Sequence, residues 1–278
     1  MTRSSRLGSI REEEEQEHLL GHHQMGSQQV QQKSSRLERW HKHFTTDVNR
    51  EWGDCVLILC YLITGLLDSA SISVWGSFVS MQTGNTVYIG LGLSAPYQST
   101  RWIKSGTSLI SFCIGSFLFS RFHRFFSPKR RWVLCASFAV QLVLTAAAAI
   151  VVTLAGVPAD MEEIDWHVLI PIALVAFQSC GQAITSRALQ YNALTSVVLT
   201  SIYCDLFSDQ ELFALRNAER NRRTGAPLFL LVGALLGGFC ANSSFGIAGS
   251  LWAAAGLKAV VVVAWIVWPA DPASEEQV

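Results

Sequence analysis

Beyond about residue 50 the chain alternates between uncharged apolar runs and short polar loops. The runs cover 55–75 (broken only by Asp68), 77–93, 105–120, 132–159, 166–186, 188–204, 224–243 and 247–268 (broken only by Lys258). A helix that crosses a bilayer needs about 20 apolar residues, or fewer where flanking arginines reach back to the interface. Six runs meet that requirement once their flanks are counted. The other two, SFVSMQTGNTVYIGLGL at 77–93 and ALQYNALTSVVLTSIYC at 188–204, are short and rich in Gly, Thr, Asn and Gln. The pattern predicts an all-α integral membrane protein with about six transmembrane helices, at about 55–75, 105–125, 132–158, 166–187, 225–243 and 248–268. The two short segments are expected to be broken or re-entrant.

The placement of basic residues gives that count a reason. Arg36, Arg39, Lys42 and Arg50 precede the first run. Arg121, Arg124, Lys129, Arg130 and Arg131 follow the third, and Arg216, Arg220, Arg222 and Arg223 lie within 205–224. Loop 160–165 carries Asp160, Glu162, Glu163 and Asp165 and no basic residue. Cytosolic loops are enriched in Lys and Arg. Eight crossings would put the first two basic clusters on opposite sides of the membrane. Six crossings put all three on the cytosolic face, together with both termini.

Composition agrees with a lipid environment. Half of the residues are apolar and 15% are charged, with most of the charge in the first 52 residues or in short loops. The formal net charge is zero, so no basic surface for nucleic acid is implied. Residues 1–50, with Glu12 to Glu15 and the glutamines around 28–32, read as a disordered cytosolic tail without a signal-peptide core. Residues 51–269 form the transmembrane domain, and 270–278 a short acidic tail. Cys55, Cys60, Cys113, Cys135, Cys180, Cys204 and Cys240 form no CxxC pair and read as buried thiols. His22-His23 and His41-x-His43 read as solvated, so no metal site and no cofactor is expected. Trp52, Trp75, Trp102, Trp132, Trp166, Trp265 and Trp268 fall at run ends, as interfacial aromatic belts do.

Three crossings surround each short segment, and an odd number per half makes the halves antiparallel. Met81-Gln82-Thr83-Gly84-Asn85 aligns with Val198-Leu199-Thr200-Ser201-Ile202, and at the same offset Gln141 aligns with Lys258. Asp68-Ser69-Ala70 has Gly181-Gln182-Ala183 as a rough counterpart. Inverted repeats with interrupted polar segments at matching places point to a secondary-transporter core.

A family resemblance rests on these residues. Gly65-Leu66-Leu67-Asp68-Ser69-Ala70, Phe78 through Val87 with its TGNT element, and Gly90-Leu91-Gly92 resemble the signature of the YoaK-like membrane proteins, a domain of unknown function. Phe177 through Gln182, Ser186-Arg187 and Leu199 through Leu206 agree, and the second block looks like the fungal branch. The resemblance spans about residues 50–268. It implies a membrane architecture and no settled activity. Many relatives carry Gly where this chain has Ser201, which implies a less sharply bent second segment.

Polar groups inside the runs supply the candidate chemistry. Asp68 is costly in lipid and is expected to face a cavity or a partner, as a coupling group or as a cap ending the first helix. Gln82, Thr83, Gly84, Asn85 and Thr86 offer hydroxyls, amides and close backbone approach for a solute or coupling site; the bland alternative is helix packing. Gln178, Gln182 and Thr200 would form the matching face. Asp205 reads as a partner of a loop arginine, and Arg187 as a side chain snorkelling at a helix end. Lys258, far from either end of its run, is a candidate counter-ion for Asp68.

The leading expectation is a small-solute or ion transporter working by alternating access. The alternative is a non-transporting scaffold or sensor acting through its tail and basic loops. No HExxH, GxSxG or His/Asp cluster lies in the apolar runs, and His167 reads as interfacial, so an enzyme is not expected. The partners implied are the lipid bilayer, an unidentified small solute or ion, and, as an open option, a second copy of the chain; nucleic acid is not among them.

Overall fold

The computed structural model describes residues 38–49, 53–156, 160–191, 199–214 and 216–272. The expectations for residues 1–37, for Arg50 and Trp52, for 192–198 in the second short segment and for 273–278 lie outside those residues. The chain divides into two compact units, residues 1–46 and Asp47–Val278. In the first, residues 38–45 are helical, with Trp40 stacked on Phe44 at a ring-centroid distance of 5.9 Å. In the second, Asp47 and Val48 form antiparallel bridges with Arg130 and Ala270. Val48 is 1% exposed. Residues 38–49 thus carry local structure ahead of position 50, from an aromatic i,i+4 pair and one buried valine that averaged composition hides.

Among the described residues the second unit consists of eight helices and no strand. They are α1 Gly53–Trp75, α2 Gln82–Ser94, α3 Arg101–Phe125, α4 Arg131–Ala155, α5 Trp166–Ala188, α6 Thr200–Phe207, α7 Ala218–Ala241 and α8 Gly246–Val267. Six of these, α1, α3, α4, α5, α7 and α8, are long and apolar enough to cross a membrane. At 1.5 Å per residue each spans more than the roughly 30 Å hydrocarbon core, whereas α2 at about 20 Å and α6 at about 12 Å do not. Their outer faces are apolar. Leu228, Leu231, Leu235 and Phe239 on α7 are all exposed, as are Ile110, Ile114 and Phe117 on α3. An aqueous monomer rarely displays so much contiguous apolar surface, and lipid is its natural solvent. The protein is a multi-pass integral membrane protein.

Contacts fix which helix ends lie together. Arg101 Nε donates to the carbonyl of Gly76, and Glu162 accepts from Ser99 and Thr100, so the end of α1, the start of α3 and loop 160–165 share one end. At the other end Arg222 pairs with Asp54 at 2.7 Å, and Arg131 donates to the carbonyl of Trp268 at 2.6 Å. The described basic clusters thus gather at one end and the acidic loop at the other, in keeping with the charge argument.

Three sets of helix pairings map onto one another or onto themselves when the halves are exchanged, although α7 packs on α8 and α3 makes no comparable contact with α4 among the described residues. α1 packs on α7 as α5 packs on α3, α4 packs on α5 as α8 packs on α1, and α4 meets α8. Each helix runs opposite to its counterpart. The α1–α7 crossing is closest: a Cβ on Gly65 would stand 2.0 Å from the Leu230 carbonyl, and one on Gly233 2.1 Å from that of Leu62. Gly233 and Gly237 are spaced as in the small-residue motif that lets membrane helices approach backbone to backbone.

Two expectations need correction. Trp75 and Trp265 are each 1% exposed and belong to the interior, although Trp166 is exposed as a belt residue would be. Cys60, Cys135 and Cys180 are buried, but Cys55, Cys113 and Cys204 are exposed. In lipid an apolar run has no inside and outside that hydropathy can separate, so side chains of one run divide between bundle and bilayer.

Candidate functional site

The first short segment is a re-entrant hairpin. After Trp75 the chain turns back through residues 76–81 and leaves along α2. Side chains strap the returning backbone. Asp68, 4% exposed, accepts from Val79 N–H at 2.8 Å, from Ser80 N–H at 2.9 Å and, by a short bond, from the Ser80 hydroxyl. Asn85, fully buried, accepts from Phe78 N–H at 3.1 Å and donates to Phe78 O at 2.8 Å, to Gln82 Oε1 at 3.0 Å and to Ser108 Oγ at 3.1 Å. Ser71 donates to Ser77 O at 2.7 Å, and Ser179 to Val79 O at 3.0 Å. Each strap answers a backbone group that lipid could not. Asp68 stands seven residues before Trp75 in α1, so the tip sits about 10 Å inside the helix end. Asp68 is therefore not a cap ending the first helix; its carboxylate straps the returning backbone.

Thr83 and Gly84 in the first turn of α2 line a cavity of about 300 Å³, together with Ser116 of α3, Arg187 of α5, and Leu199 and Thr200 at the start of α6. The first turn of α2 and the start of α6 meet there, and the residues aligned at an offset of 117 positions, Thr83 and Thr200, share its wall. Gly84 leaves room for the Phe78 ring, which a Cβ would approach to 2.7 Å.

Lys258 sits elsewhere, in a buried polar axis. It is 0% exposed and donates to Gln141 Oε1 at 2.5 Å and to Gln182 Oε1 at 2.9 Å. Gln182 in turn donates to Thr64 Oγ1 at 2.6 Å. Gln141 Nε2 reaches Ser137, whose hydroxyl lies 3.4 Å from that of Thr185, and Thr185 lies 3.3 Å from His123 Nε2. No ion pair joins Asp68 to Lys258 among the described residues: backbone N–H groups satisfy the one and side-chain amides the other.

The sequence-selected residues thus separate into three groups. Asp68, Gln82 and Asn85 hold the hairpin; Thr83, Gly84 and Thr200 line the cavity, where Gln82 also contributes; Gln182 and Lys258 join the axis. Thr86 faces outward and bonds back to Gln82 O, and Gln178, 1% exposed, has an Oε1 with no partner among the described residues. Asp205 is exposed and forms no ion pair among the described residues; the loop arginines pair instead with Asp54, Asp209 and Glu219. Arg187, read from sequence as a snorkelling side chain, is exposed in the last turn of α5 and also lines the cavity, and Ser116 and His123 gave no signal because only packing brings them in. At the opposite end His167 lies 3.6 Å from Glu163 and 3.8 Å from Asp165.

The family model described as "Protein of unknown function (DUF1275)" matches residues 56–264. No curated protein and no solved structure matches the chain.

Proposed function

The chain belongs to the DUF1275 family, and from that premise we propose that it is a small-solute or ion transporter working by alternating access, with no bond-making step. The observation that supports this reading is the cavity between the starts of α2 and α6, within a frame whose principal helix pairings exchange when the halves are swapped. Interrupted segments that meet inside such a frame bring free helix ends and unwound backbone to a solute, and one half can rock against the other around it. The reading has both termini and the basic loops on the cytosolic side.

The test is uptake by purified protein in vesicles challenged with a defined mixture of isotope-labelled metabolites and ions. Transport predicts accumulation of at least one solute, reduced by Thr83→Val and by Thr200→Val at normal protein abundance. No accumulation above protein-free vesicles under any imposed gradient would sink the reading. Loss of the cellular phenotype on deleting residues 1–50, with those two variants silent, would favour the scaffold alternative.

A further inference from the structure

One half of the molecule closes a seam that the other half leaves open. Helices α7 and α8 pack on each other. Their counterparts α3 and α4 are held together at their loop end, where Trp132 meets Phe122 at 6.0 Å and Phe126 at 4.7 Å between ring centroids. Beyond that cluster they make no comparable helix contact among the described residues, and a groove of about 230 Å³ lies between them. Phe119, Phe177 and Ser137 form its floor, and the exposed Leu118 and Val140 its rim. The Ser137 hydroxyl is the one polar side-chain group in this wall. A single helical turn, a cylinder about 10 Å across and about 5.4 Å high, takes up more than that volume. No helix of a second copy seats in the groove, whereas a flexible hydrocarbon chain does.

Charge decides which chain-bearing molecule fits. Arg121, in the same turn as Phe122, and Lys129 and Arg130, just ahead of α4, are exposed and form no ion pair among the described residues. Arg121 lies over the Phe117 ring at 5.2 Å, which orients the guanidinium without neutralising it. Asp47 bridges Arg130 through the backbone without pairing with its charge, and Arg124 lines a different cavity on the far side of α3. No Asp or Glu occurs between Asp68 and Asp160, so neither helix supplies a counter-charge. Trp132 and the exposed Phe125 mark this as the interfacial level, where headgroups lie.

We propose that the α3–α4 seam binds one phospholipid of net negative charge, with its phosphate on Arg121, Lys129 and Arg130 and one acyl chain along the groove. Basic clusters at the ends of membrane helices attract anionic lipid in this way. A zwitterionic headgroup brings its own cation and leaves the three charges uncompensated. The seated chain supplies α3 and α4 with the packing that α7 and α8 give each other. It also covers Ser137, whose hydroxyl joins the buried axis that reaches Lys258 through Gln141.

The experiment is native mass spectrometry and thermal stability of the detergent-purified full-length protein titrated with phosphatidylserine, phosphatidylglycerol or phosphatidylcholine of identical acyl chains. Soluble glycerol 3-phosphate is a separate arm. The expected result is one retained anionic lipid per chain and a saturable rise in melting temperature, with phosphatidylcholine at least about tenfold weaker. The triple variant Arg121→Gln, Lys129→Gln, Arg130→Gln should lose that preference. Val140→Trp, which fills the groove from its exposed rim, should weaken retention of every lipid at least about tenfold. Leu231→Trp on the exposed face of α7 is the control, and Ala136→Phe replaces Val140→Trp if the latter lowers the lipid-free melting temperature. The proposal is overturned if phosphatidylcholine binds as tightly as the anionic lipids or if glycerol 3-phosphate stabilises as they do. It is equally overturned if the triple variant keeps the preference, or if a groove-filled variant with native lipid-free melting temperature retains lipid as the native protein does. None of these outcomes depends on whether the protein carries a solute.

Discussion

Lys258 and Gln141 lie 117 positions apart, and the ammonium of one donates to the amide oxygen of the other at 2.5 Å. That separation equals the offset relating Thr83 to Thr200. Two residues aligned at one offset therefore touch, which is what an inverted repeat would require of positions beside its axis. The contact ties α4 to α8, and Gln182 Oε1 at 2.9 Å brings α5 to the same ammonium.

A buried ammonium held by two amide oxygens makes the removal of an acceptor costlier than the removal of the charge. Gln141→Leu should destabilise by about 3 kcal/mol or more, because it leaves a charged donor short of a partner. Lys258→Met should cost less, and the double variant should recover part of the Gln141→Leu loss. A double-mutant cycle on denaturant unfolding of the solubilised protein checks this, and additive losses would contradict it. Lys258→Met should show no coupling to Asp68→Asn.

The strap on the first hairpin changes what variants of Asp68 and Asn85 mean. Asp68→Ala strands the buried N–H groups of Val79 and Ser80, each worth about 1–3 kcal/mol. Folded yield and melting temperature should fall with activity, and Asn85→Leu should behave alike. Native-like abundance with abolished transport in both would show that these groups serve the solute directly.

Close approach of α1 and α7 predicts sensitivity to single methyl groups. Gly233→Ala and Gly65→Ala each push a Cβ into backbone of the facing helix, so each should destabilise by about 1–3 kcal/mol. Gly238→Ala, whose Cβ would meet nothing within 4 Å, is the control. Retention on size-exclusion and melting temperature distinguish them.

At the acidic end, the Glu162 carboxylate accepts from Thr100 N–H at 2.5 Å, from the Thr100 hydroxyl at 2.9 Å and from Ser99 at 2.9 Å. The Thr100 N–H, foremost among these contacts, holds its pKa below the ordinary glutamate value. The depressed folded-state value means that the stabilisation is present above the unfolded pKa of about 4.3 and is lost as pH falls below it through the folded value. Melting temperature measured from pH 7 downward should show Glu162→Gln less stable than the native protein near neutrality. The two curves should converge in acid; parallel curves would refute the assignment.

Much of the architecture was legible because it depends on local quantities. Run length and hydropathy predict six crossings within a few residues of α1, α3, α4, α5, α7 and α8. Lys and Arg counts per loop predict that the basic clusters share an end. Glycine, threonine and amide content marks the two segments that stop short. The site was legible only as a set of residue types: Asp68 and Asn85 carry the right chemistry for a ligand, yet their polar atoms are spent on Phe78, Val79 and Ser80.

The sequence by itself determined crossing number, the end at which charge collects and the places where helices break, since transfer free energy and charge placement are properties of short stretches of chain. Only the tertiary structure decided that Asp68 straps a hairpin, that Lys258 rests on two glutamines, and that Arg187 opens onto a cavity between Thr83 and Thr200. Lipid gives little drive for one apolar face to seek another, so partner choice falls to small-residue contacts such as Gly65 with Leu230 and to hydrogen bonds between distant positions. Those depend on how helices cross, which hydropathy along the chain does not encode.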